Sequence, residues 1–350
     1  MNKIDSPSQR LYGEITRKKT LSLALLAVAL GGAFLADIMT GPAWLSLKQV
    51  ASALFASRSV DISTRVIVLQ LRLPVALMAV CVGAALGSAG AEMQTILNNP
   101  LASPYTLGVS SAAGFGAALA LVGGVGLIPA GAQFLIAANA FIFALGSSLA
   151  VYGIAGVKKG STEIIILAGI ALLFLFYSLT AMLEYLATEE QLQAVVFWLF
   201  GSLNKATWVK LLIVSAVFAV VFPLILSRAW KLTALRLGET EAESLGINVK
   251  RLRLTTLVLI SLLTATAVCF VGTIGFIGIV APHIARSLGG EDQRFFLPLS
   301  ALVGAALLST ASVASKLIMP GAVFPIGIVT SFIGIPFFLF LILSKRRSYW

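Results

Sequence analysis

Few residues in this chain have the types and spacing that catalysis or metal binding requires. Its 350 residues include one histidine, His283, and two cysteines, Cys81 and Cys269, both within apolar runs. These are too few for a four-ligand zinc site, an iron–sulfur site or a disulfide framework. Phosphate-binding loops, dinucleotide fingerprints and nucleophilic Ser, His and acid arrangements are also missing from the sequence. We therefore predict no catalytic residue, no bound metal and no cofactor.

The ionisable residues that we place near membrane segments are Glu92, Glu184 and His283, each near the end of a segment. An ion-coupled transporter needs acidic or His groups inside its helix bundle, where a charge is costly and therefore functional by default. The pattern does not favour a proton or sodium relay, so a transported solute would draw energy from elsewhere. His283 follows Pro282, and we interpret it as a structural hydrogen-bonding group because no second ligand is close.

The chain is strongly apolar, and this composition determines which structural elements can hold these residues. Hydrophobic residues make up 59% of the chain and charged residues 11%, whereas a soluble domain carries about 25% charged residues. A soluble fold is excluded. At about 20 residues for each membrane-crossing helix, the chain has room for about ten crossings and none for a separate catalytic domain. We predict an all-α polytopic membrane protein.

Ten apolar segments are candidates for these crossings, and two stretches are interrupted by Gly and Pro. The stretches are 93–106, with Pro100 and Pro104, and 276–288, around Pro282. Non-helical backbone at membrane depth is tolerated only where protein or a water-filled cavity covers it, so these breaks suggest a lined pathway. The glycines of 108–126 and 272–278 indicate close helix packing. The ten segments are 21–39, 73–92, 107–124, 130–155, 164–186, 207–227, 254–274, 276–288, 296–316 and 326–344.

Basic residues predict the orientation and the division of the chain. With ten crossings and a cytoplasmic N-terminus, most of the 25 Lys and Arg fall on the inside, as the positive-inside rule requires. The run 21–39 is too long for a cleaved signal peptide and is read as a retained first helix. We expect a cytoplasmic tail at 1–20, one transmembrane domain at 21–345 and a cytoplasmic tail at 346–350. The net charge of +11 is thus assigned to orientation beside membrane lipid and not to nucleic acid.

Two aqueous segments are longer than a connection requires. The outer loop 40–72 carries Lys48, Arg58, Arg65 and Arg72, either as solvated charges or as a basic collar that orients an acidic partner. The inner segment 228–253 contains a short predicted helix with acidic residues in its first turn and Gly246 after its end. Ala242 and Leu245 are spaced to share one face of this helix, which is either an inert connector or a contact for a cytoplasmic partner.

An ordered set of short motifs resembles the permeases of iron-siderophore, haem and cobalamin ABC importers, the FecCD-type family. The resemblance extends from about residue 20 to 345. The motifs are Leu71-Arg-Leu-Pro74, Gly83-Ala-Ala-Leu86, Gln94, Asn99-Pro-Leu-Ala-Ser-Pro104, Leu107-Gly-Val-Ser-Ser111, Leu167-Ala-Gly-Ile170, Phe197-Trp-Leu-Phe-Gly-Ser-Leu203, Gly238–Gly246, Gly275-Phe-Ile-Gly278, Pro282-His-Ile-Ala-Arg286 and Pro325-Ile-Gly-Ile-Val329.

The resemblance implies a permease subunit of a bacterial inner-membrane importer, with both termini cytoplasmic. Two such subunits, identical or related, would line one pathway. Each would bind a cytoplasmic ATPase subunit, and a periplasmic binding protein would deliver the ligand. ATP hydrolysis would then occur in the partner, so this chain would not itself be an enzyme.

The resemblance also assigns roles to individual residues. Arg72 and Lys316 match positions that dock the acidic lobes of the binding protein, while a further position that is commonly Arg is Val75 here. Arg65 or Arg58 is a candidate to compensate for Val75. The segment Gly238–Gly246 matches the coupling helix. The predicted ATPase contacts are Gly238, Glu239, Ala242, Leu245 and Gly246, and the predicted cytoplasmic gate comprises Asn99, Leu101, Ser161 and Thr162.

A ferric siderophore is the predicted substrate because it is the most common cargo of the family. Haem and cobalamin are the alternatives within the family. An ion-coupled secondary transporter is the alternative from another class, and it predicts intramembrane charge partners. A membrane anchor or receptor would explain the basic collar but not the broken helices.

Overall fold

The structure, a computed structural model, describes residues 7–55, 61–127, 131, 134–157, 162–319 and 322–344. Within these ranges every regular element is helical, which confirms the predicted all-α class. Each of the ten predicted segments coincides with a helix. These helices are α1 Pro7–Met39, α4 Leu73–Ile96, α5 Val109–Gly123, α6 Leu135–Val157, α7 Thr162–Leu186, α9 Trp208–Leu226, α12 Val249–Val271, α13 Ile277–Gly289, α14 Gln293–Leu317 and α15 Ile326–Ser344.

Seven helices of the described chain are long and apolar enough to cross a membrane unaided, and α5 and α15 are shorter apolar helices. The other helices are short. Four of them lie between the spans: α2 Leu47–Phe55, α8 Glu189–Leu199, α10 Ala229–Leu235 and α11 Glu239–Ser244. In contrast, α3 Ile62–Val66 and a π-helical segment Ile67–Arg72 lead directly into α4 and form one candidate span with it, Ile62–Ile96.

Helices α4 and α14 form the centre of the bundle, and glycines bring them together. A Cβ atom added at Gly83 or at Gly304 would overlap the backbone carbonyl of the other residue. A Cβ atom added at Gly90 of α4 would overlap the backbone of Gly278 in α13, and one added at Gly116 of α5 would overlap the backbone of Asn139 in α6. Small residues allow such close approach between membrane helices. The interpretation of these glycines as packing positions is confirmed at Gly116 and Gly278.

The two predicted breaks have different outcomes. The backbone between α4 and α5 is non-helical from residue 97 to 108, as predicted. Pro282, however, lies inside the continuous helix α13, so the predicted break around it is wrong. Membrane helices tolerate Pro because neighbouring groups satisfy the freed carbonyl. The actual break precedes α13, where Gly272 and Phe276 have φ values of +76° and +65°.

Helices α4 and α14 run in opposite directions and define two ends of the bundle. The Gln293 amide near the start of α14 donates to the Thr95 hydroxyl near the end of α4 at 2.8 Å. Arg72 precedes the other end of α4. The 24 residues of α4 separate these ends by about 36 Å. We call them the Arg72 end and the Arg236 end. The second name refers to Arg236, whose guanidinium contacts Asn98 just beyond the end of α4.

Candidate functional site

A cavity of about 520 Å³ lies where the two non-helical stretches meet. The loop 97–108 and the break before α13 both contribute to its wall, together with the end of α8 and the first turns of α15. None of its described lining residues is charged. They are Tyr105, Thr106, Leu199, Phe200, Thr273, Gly275, Phe276, Ile279, Gly327, Ile328, Ser331, Phe332 and Ile335.

The non-helical backbone around the cavity is hydrogen-bonded to neighbouring segments. Ser202 N donates to the Val271 carbonyl at 2.7 Å, and Gly327 N donates to the Phe200 carbonyl at 3.0 Å. The Thr273 hydroxyl also donates to the carbonyl of Leu199. Irregular backbone at membrane depth requires such partners. The cavity wall is therefore a built part of the fold.

The cavity is lined in part by residues for which the sequence predicts no role. The sequence predicts a broken stretch at 93–106 with gate residues Asn99 and Leu101, but it does not indicate Tyr105 or Thr106, which line the cavity. Phe276 is a non-glycine residue with positive φ, a conformation that is uncommon and that clusters at functional sites. The Gly275-Phe-Ile-Gly278 motif was the only sequence signal at this position.

The predicted gate residues lie at the Arg236 end of the cavity loop. The Asn99 side-chain carbonyl accepts a hydrogen bond from Leu101 N at 2.9 Å, and Leu101 is 46% exposed. Leu107, at the end of the same loop, packs against Gly169 of α7, and Thr162 is the first residue of that helix. The structure therefore places the loop beside the first half of α7. Ser161 lies outside the described residues.

At the other end, Arg72 is buried and held by backbone carbonyls. It is 8% exposed, and its guanidinium donates to the carbonyls of Ile38 at 2.8 Å, Met39 at 2.9 Å and Ala43. The Ile38 and Met39 carbonyls belong to the last turn of α1, which no further helical turn can satisfy. Arg72 thus caps α1 and holds the following loop.

Lys316 is likewise buried and paired within the chain. Its Nζ atom donates to the Asp37 side chain at 2.7 Å and to the Asp37 carbonyl at 2.8 Å. The side chains of Lys316 and Asp37 are 8% and 0% exposed, and the Ser312 hydroxyl donates to the same carboxylate oxygen at 2.7 Å. We call Asp37, Arg72, Ser312 and Lys316 the Arg72 cluster.

The structure brings Arg72 and Lys316 together, as both line one cavity of about 370 Å³. Their cationic groups are already bound to internal acceptors, so neither is a freely exposed charge. Val75 is buried in the same wall. Arg65 is exposed on α3, which leaves it as the accessible predicted docking residue, whereas Arg58 lies outside the described residues.

Asp37 is a further ionisable residue within a membrane segment, in addition to the predicted Glu92, Glu184 and His283. Asp37 lies in α1 and is fully buried, but Lys316 supplies its counter-charge. Glu92 is fully buried in the last turns of α4, and among the described residues its carboxylate oxygens find no hydrogen-bond partner. The His283 ring packs at 5.9 Å from the Phe337 ring.

The predicted coupling helix forms as α11, Glu239–Ser244. Gly238 precedes it with φ +135°, and Gly246 follows it with φ +79°. Ile247 N donates to the Ala242 carbonyl at 3.1 Å, and Gly246 N donates to the Glu243 carbonyl at 2.9 Å. This pair of bonds is a Schellman motif, which ends a helix at a left-handed glycine. The sequence-predicted start and stop of this helix are confirmed.

The expected shared face of Ala242 and Leu245 does not form. Ala242 is fully buried in the main core, whereas Leu245 is 56% exposed. The reason is that Leu245 is already the C-cap residue, outside the regular helix. Ala242 therefore anchors α11 to the bundle, while its contact with the ATPase stays a prediction. Leu237, 70% exposed just before α11, is a second exposed leucine in this segment for which no role was predicted.

Glu239 ties α11 to the end of α4 through a buried arginine. Its carboxylate lies 2.7 Å from the Arg253 guanidinium. Arg253 is 5% exposed and donates through Nε to the Ile96 carbonyl at 2.8 Å. Because Ile96 is the last residue of α4, the short surface helix is linked directly to the loop that enters the cavity.

A model of the FecCD transport family matches residues 25–344. A protein of Methanocaldococcus jannaschii assigned as an ABC transporter permease is 38% identical over 343 residues, covering 96% of this chain and 98% of that protein. The hemin transport system permease of Yersinia pestis is 39% identical over 280 residues, covering 80% and 84%. Other relatives are named for iron chelatin, molybdate, Fe(3+)-citrate and vitamin B12 import.

A solved structure of an inward-facing transporter assigned to the metal-chelate type of ABC transporters has the same fold. It superposes with a TM-score of 0.82 at 32% identity and covers 92% of this chain and 99% of that one.

Proposed function

The chain belongs to the FecCD transport family, and from that premise we propose that it forms the membrane pathway for a ferric siderophore. It is a multi-pass permease component of an ABC importer, and the ATPase activity of such a transporter lies in a separate subunit. The identity of the transported substrate and the roles of the individual site residues are our proposals.

The observation that carries the substrate proposal is the uncharged wall of the 520 Å³ cavity. Conduction requires a surface that admits a solute without holding it tightly. Aromatic, aliphatic and hydroxyl groups meet this requirement for a bulky organic chelate, whereas a small oxyanion would need donors or cations. Relatives named for iron chelatin and Fe(3+)-citrate support the same class.

We propose the following roles for the predicted residues. The exposed Leu245, with Gly238, Glu239 and Gly246 shaping its segment, contacts the ATPase. Asn99, Leu101 and Thr162 form part of the cytoplasmic gate, so the Arg236 end faces the cytoplasm of a bacterial inner-membrane protein. Arg65 meets the acidic binding protein at the opposite end, where Arg72 and Lys316 hold the loop in place. A second permease subunit completes the pathway.

Uptake into proteoliposomes tests the substrate. The permease is reconstituted with its ATPase and binding protein and supplied with ATP and radiolabelled ferrichrome, a ferric hydroxamate siderophore. We expect ATP-dependent accumulation that exceeds the uptake of haem, cyanocobalamin and molybdate under the same conditions. Preferred uptake of any of these three would replace the siderophore proposal while leaving the permease role intact.

A single substitution tests the coupling surface. Leu245→Arg places a charge in the proposed apolar contact, so we expect loss of ATPase association in pull-down while the permease still inserts. Thr240→Arg on the same helix is a matched control for added charge. Unchanged association and uptake in the Leu245→Arg variant would refute the coupling role of this segment.

A further inference from the structure

The end of α4 receives polar contacts from several separate parts of the chain. From the end of α10, the Arg236 guanidinium donates to the Asn98 side-chain carbonyl at 2.8 Å, and from α12, Arg253 donates to the Ile96 carbonyl. From α13, the Arg286 guanidinium donates to the Gln94 side-chain carbonyl at 3.0 Å. The last turn of α4 is therefore a meeting point.

Glu291 connects the arginine at the end of α10, Arg236, with the arginine of α13, Arg286. Its Oε2 atom accepts from Arg236 Nε at 3.1 Å, and its Oε1 atom contacts both Arg236 and, at 3.1 Å, Arg286 Nε. One carboxylate thus bridges two guanidinium groups that would otherwise repel each other. We call Gln94, Asn98, Arg236, Arg286 and Glu291 the Arg236 cluster.

The Arg236 cluster lies between the surface helix α11 and the cavity loop 97–108. Arg236 is the C-cap residue of α10, two positions before Gly238 and α11. Asn98 is the second residue after α4 and has φ +43°. The chain then continues through Asn99 and Leu101 to Tyr105 and Thr106 in the cavity wall. The contacts therefore form an unbroken path from the surface helix to the cavity.

The cluster is also suited to rearrangement. The side chains of Arg236, Arg286 and Glu291 are 18%, 21% and 43% exposed, so water reaches the ion pairs and can replace a broken contact. Fully buried pairs lack that possibility, since breaking them leaves an unsolvated charge. Partly exposed ion pairs are the kind that rigid-body transitions exchange.

We propose that Glu291 is a positioning residue that makes the end of α4 move together with the coupling segment, so that ATPase movement reaches the cavity loop 97–108. This inference rests on the proposed coupling role of α11. Glu291 acts through the two arginines and contacts neither the ATPase nor the substrate.

The test follows the position of the loop directly and needs no identified substrate. Leu101→Cys provides a thiol on the exposed loop, and its rate of labelling by a membrane-impermeant maleimide is measured in the permease–ATPase complex with and without AMP-PNP. The parent chain, with Cys81 and Cys269 only, supplies the background. We expect the nucleotide to change the labelling rate by at least about fivefold, the lower bound of typical coupling between sites.

In the Glu291→Gln background, the complex should still assemble and hydrolyse ATP, but the nucleotide should change the labelling rate by less than about twofold. Glu189→Gln, an exposed residue of α8, is the matched control and should retain the full response. Arg236→Gln should reproduce the loss, and it serves as the second variant if Glu291→Gln does not insert.

Three results would overturn the proposal. In the first, the nucleotide changes the labelling rate of Leu101→Cys equally with Glu291 present and in the Glu291→Gln background. In the second, the nucleotide does not change the labelling rate of the Leu101→Cys single variant. In the third, Glu291→Gln loses its association with the ATPase. Failure of the proposed function is distinct, because the parent complex would then not assemble or Leu245→Arg would leave assembly unchanged.

Discussion

The Arg72 cluster and the Arg236 cluster use the same residue types at opposite ends of one bundle, yet they differ in exposure. At the Arg72 end, Lys316 and Asp37 are 8% and 0% exposed. At the Arg236 end, Glu291 is 43% exposed and shared between two arginines. Breaking a buried ion pair leaves a buried charge without a counter-charge or water, whereas the groups of a hydrated ion pair can exchange partners.

Comparison of the two clusters shows that a basic residue in a segment predicted to be aqueous is not by itself a docking charge. Arg72 was predicted to receive a partner, but its donors are engaged by carbonyls of α1 and the following loop. We interpret the Arg72 cluster as holding the shape of the docking end, and the Arg236 cluster as a link between moving parts. The following substitutions separate these two roles.

The largest effect is expected from Asp37→Ala. This change leaves the buried Lys316 ammonium without its carboxylate, and removing one partner of a buried ion pair costs about 3–5 kcal/mol. The free energy of unfolding, measured by SDS titration in mild detergent, should fall by that amount. Glu291→Ala is the comparison and should cost less than about 1 kcal/mol because its pairs are hydrated. An equal loss of unfolding free energy in Asp37→Ala and Glu291→Ala would contradict the proposed difference between the buried and the hydrated cluster.

A smaller effect is expected on docking. Arg65 is exposed at the Arg72 end, so Arg65→Glu should weaken binding of the acidic binding protein by about fivefold at low salt. The effect should shrink as salt is added, because screening shortens the range of the interaction. Titration of the binding protein at several ionic strengths measures it, with Arg65→Lys as the charge-preserving control. A salt-independent change would instead indicate altered packing.

The smallest effect concerns pH at the Arg236 end. The Arg294 guanidinium beside Asp292 lowers the pKa of that carboxyl, and Asp292 also caps α14 by accepting from Arg294 N at 3.1 Å. A lowered pKa stabilises the folded state above the unfolded value of about 3.9, and this stabilisation is lost as pH falls through the folded value. Asp292→Asn should therefore cost less than about 1 kcal/mol at neutral pH.

Unfolding of Asp292→Asn and of the parent chain, measured at pH 7 and at successively lower pH, checks this expectation. The two should become equal once the pH has fallen through the lowered folded pKa of Asp292, because the carboxyl is then protonated in both states. A difference that persists there would show that the carboxylate charge is not its source.

Much of the fold was predictable because its signals are local. Apolar run length located all ten helices, and Gly238 and Gly246 marked the ends of α11. The unbroken course of α13 through Pro282 was not predictable, since a Pro kink or break depends on which neighbours satisfy the freed carbonyl. The burial of Ala242 was missed because Leu245 had already left the helix, so spacing no longer defined a face.

The candidate site was less predictable because its contacts join distant positions. Asp37 and Lys316 lie 279 positions apart, and Arg236 and Glu291 lie 55 apart. Short motifs located the segments involved, yet they did not identify Tyr105, Phe200 or Phe276 as neighbours around one cavity.

Composition and motifs are enough to predict that this protein spans a membrane, that it is helical and that it resembles permeases powered by a separate subunit. Hydrocarbon excludes charge and unpaired backbone, so long apolar helices are the solution for such a composition. Which charges are accessible to a partner follows only from how the helices pack. Exposure depends on what packs against each side chain, and that separated the paired Arg72 and Lys316 from the accessible Arg65 and the bridging Glu291.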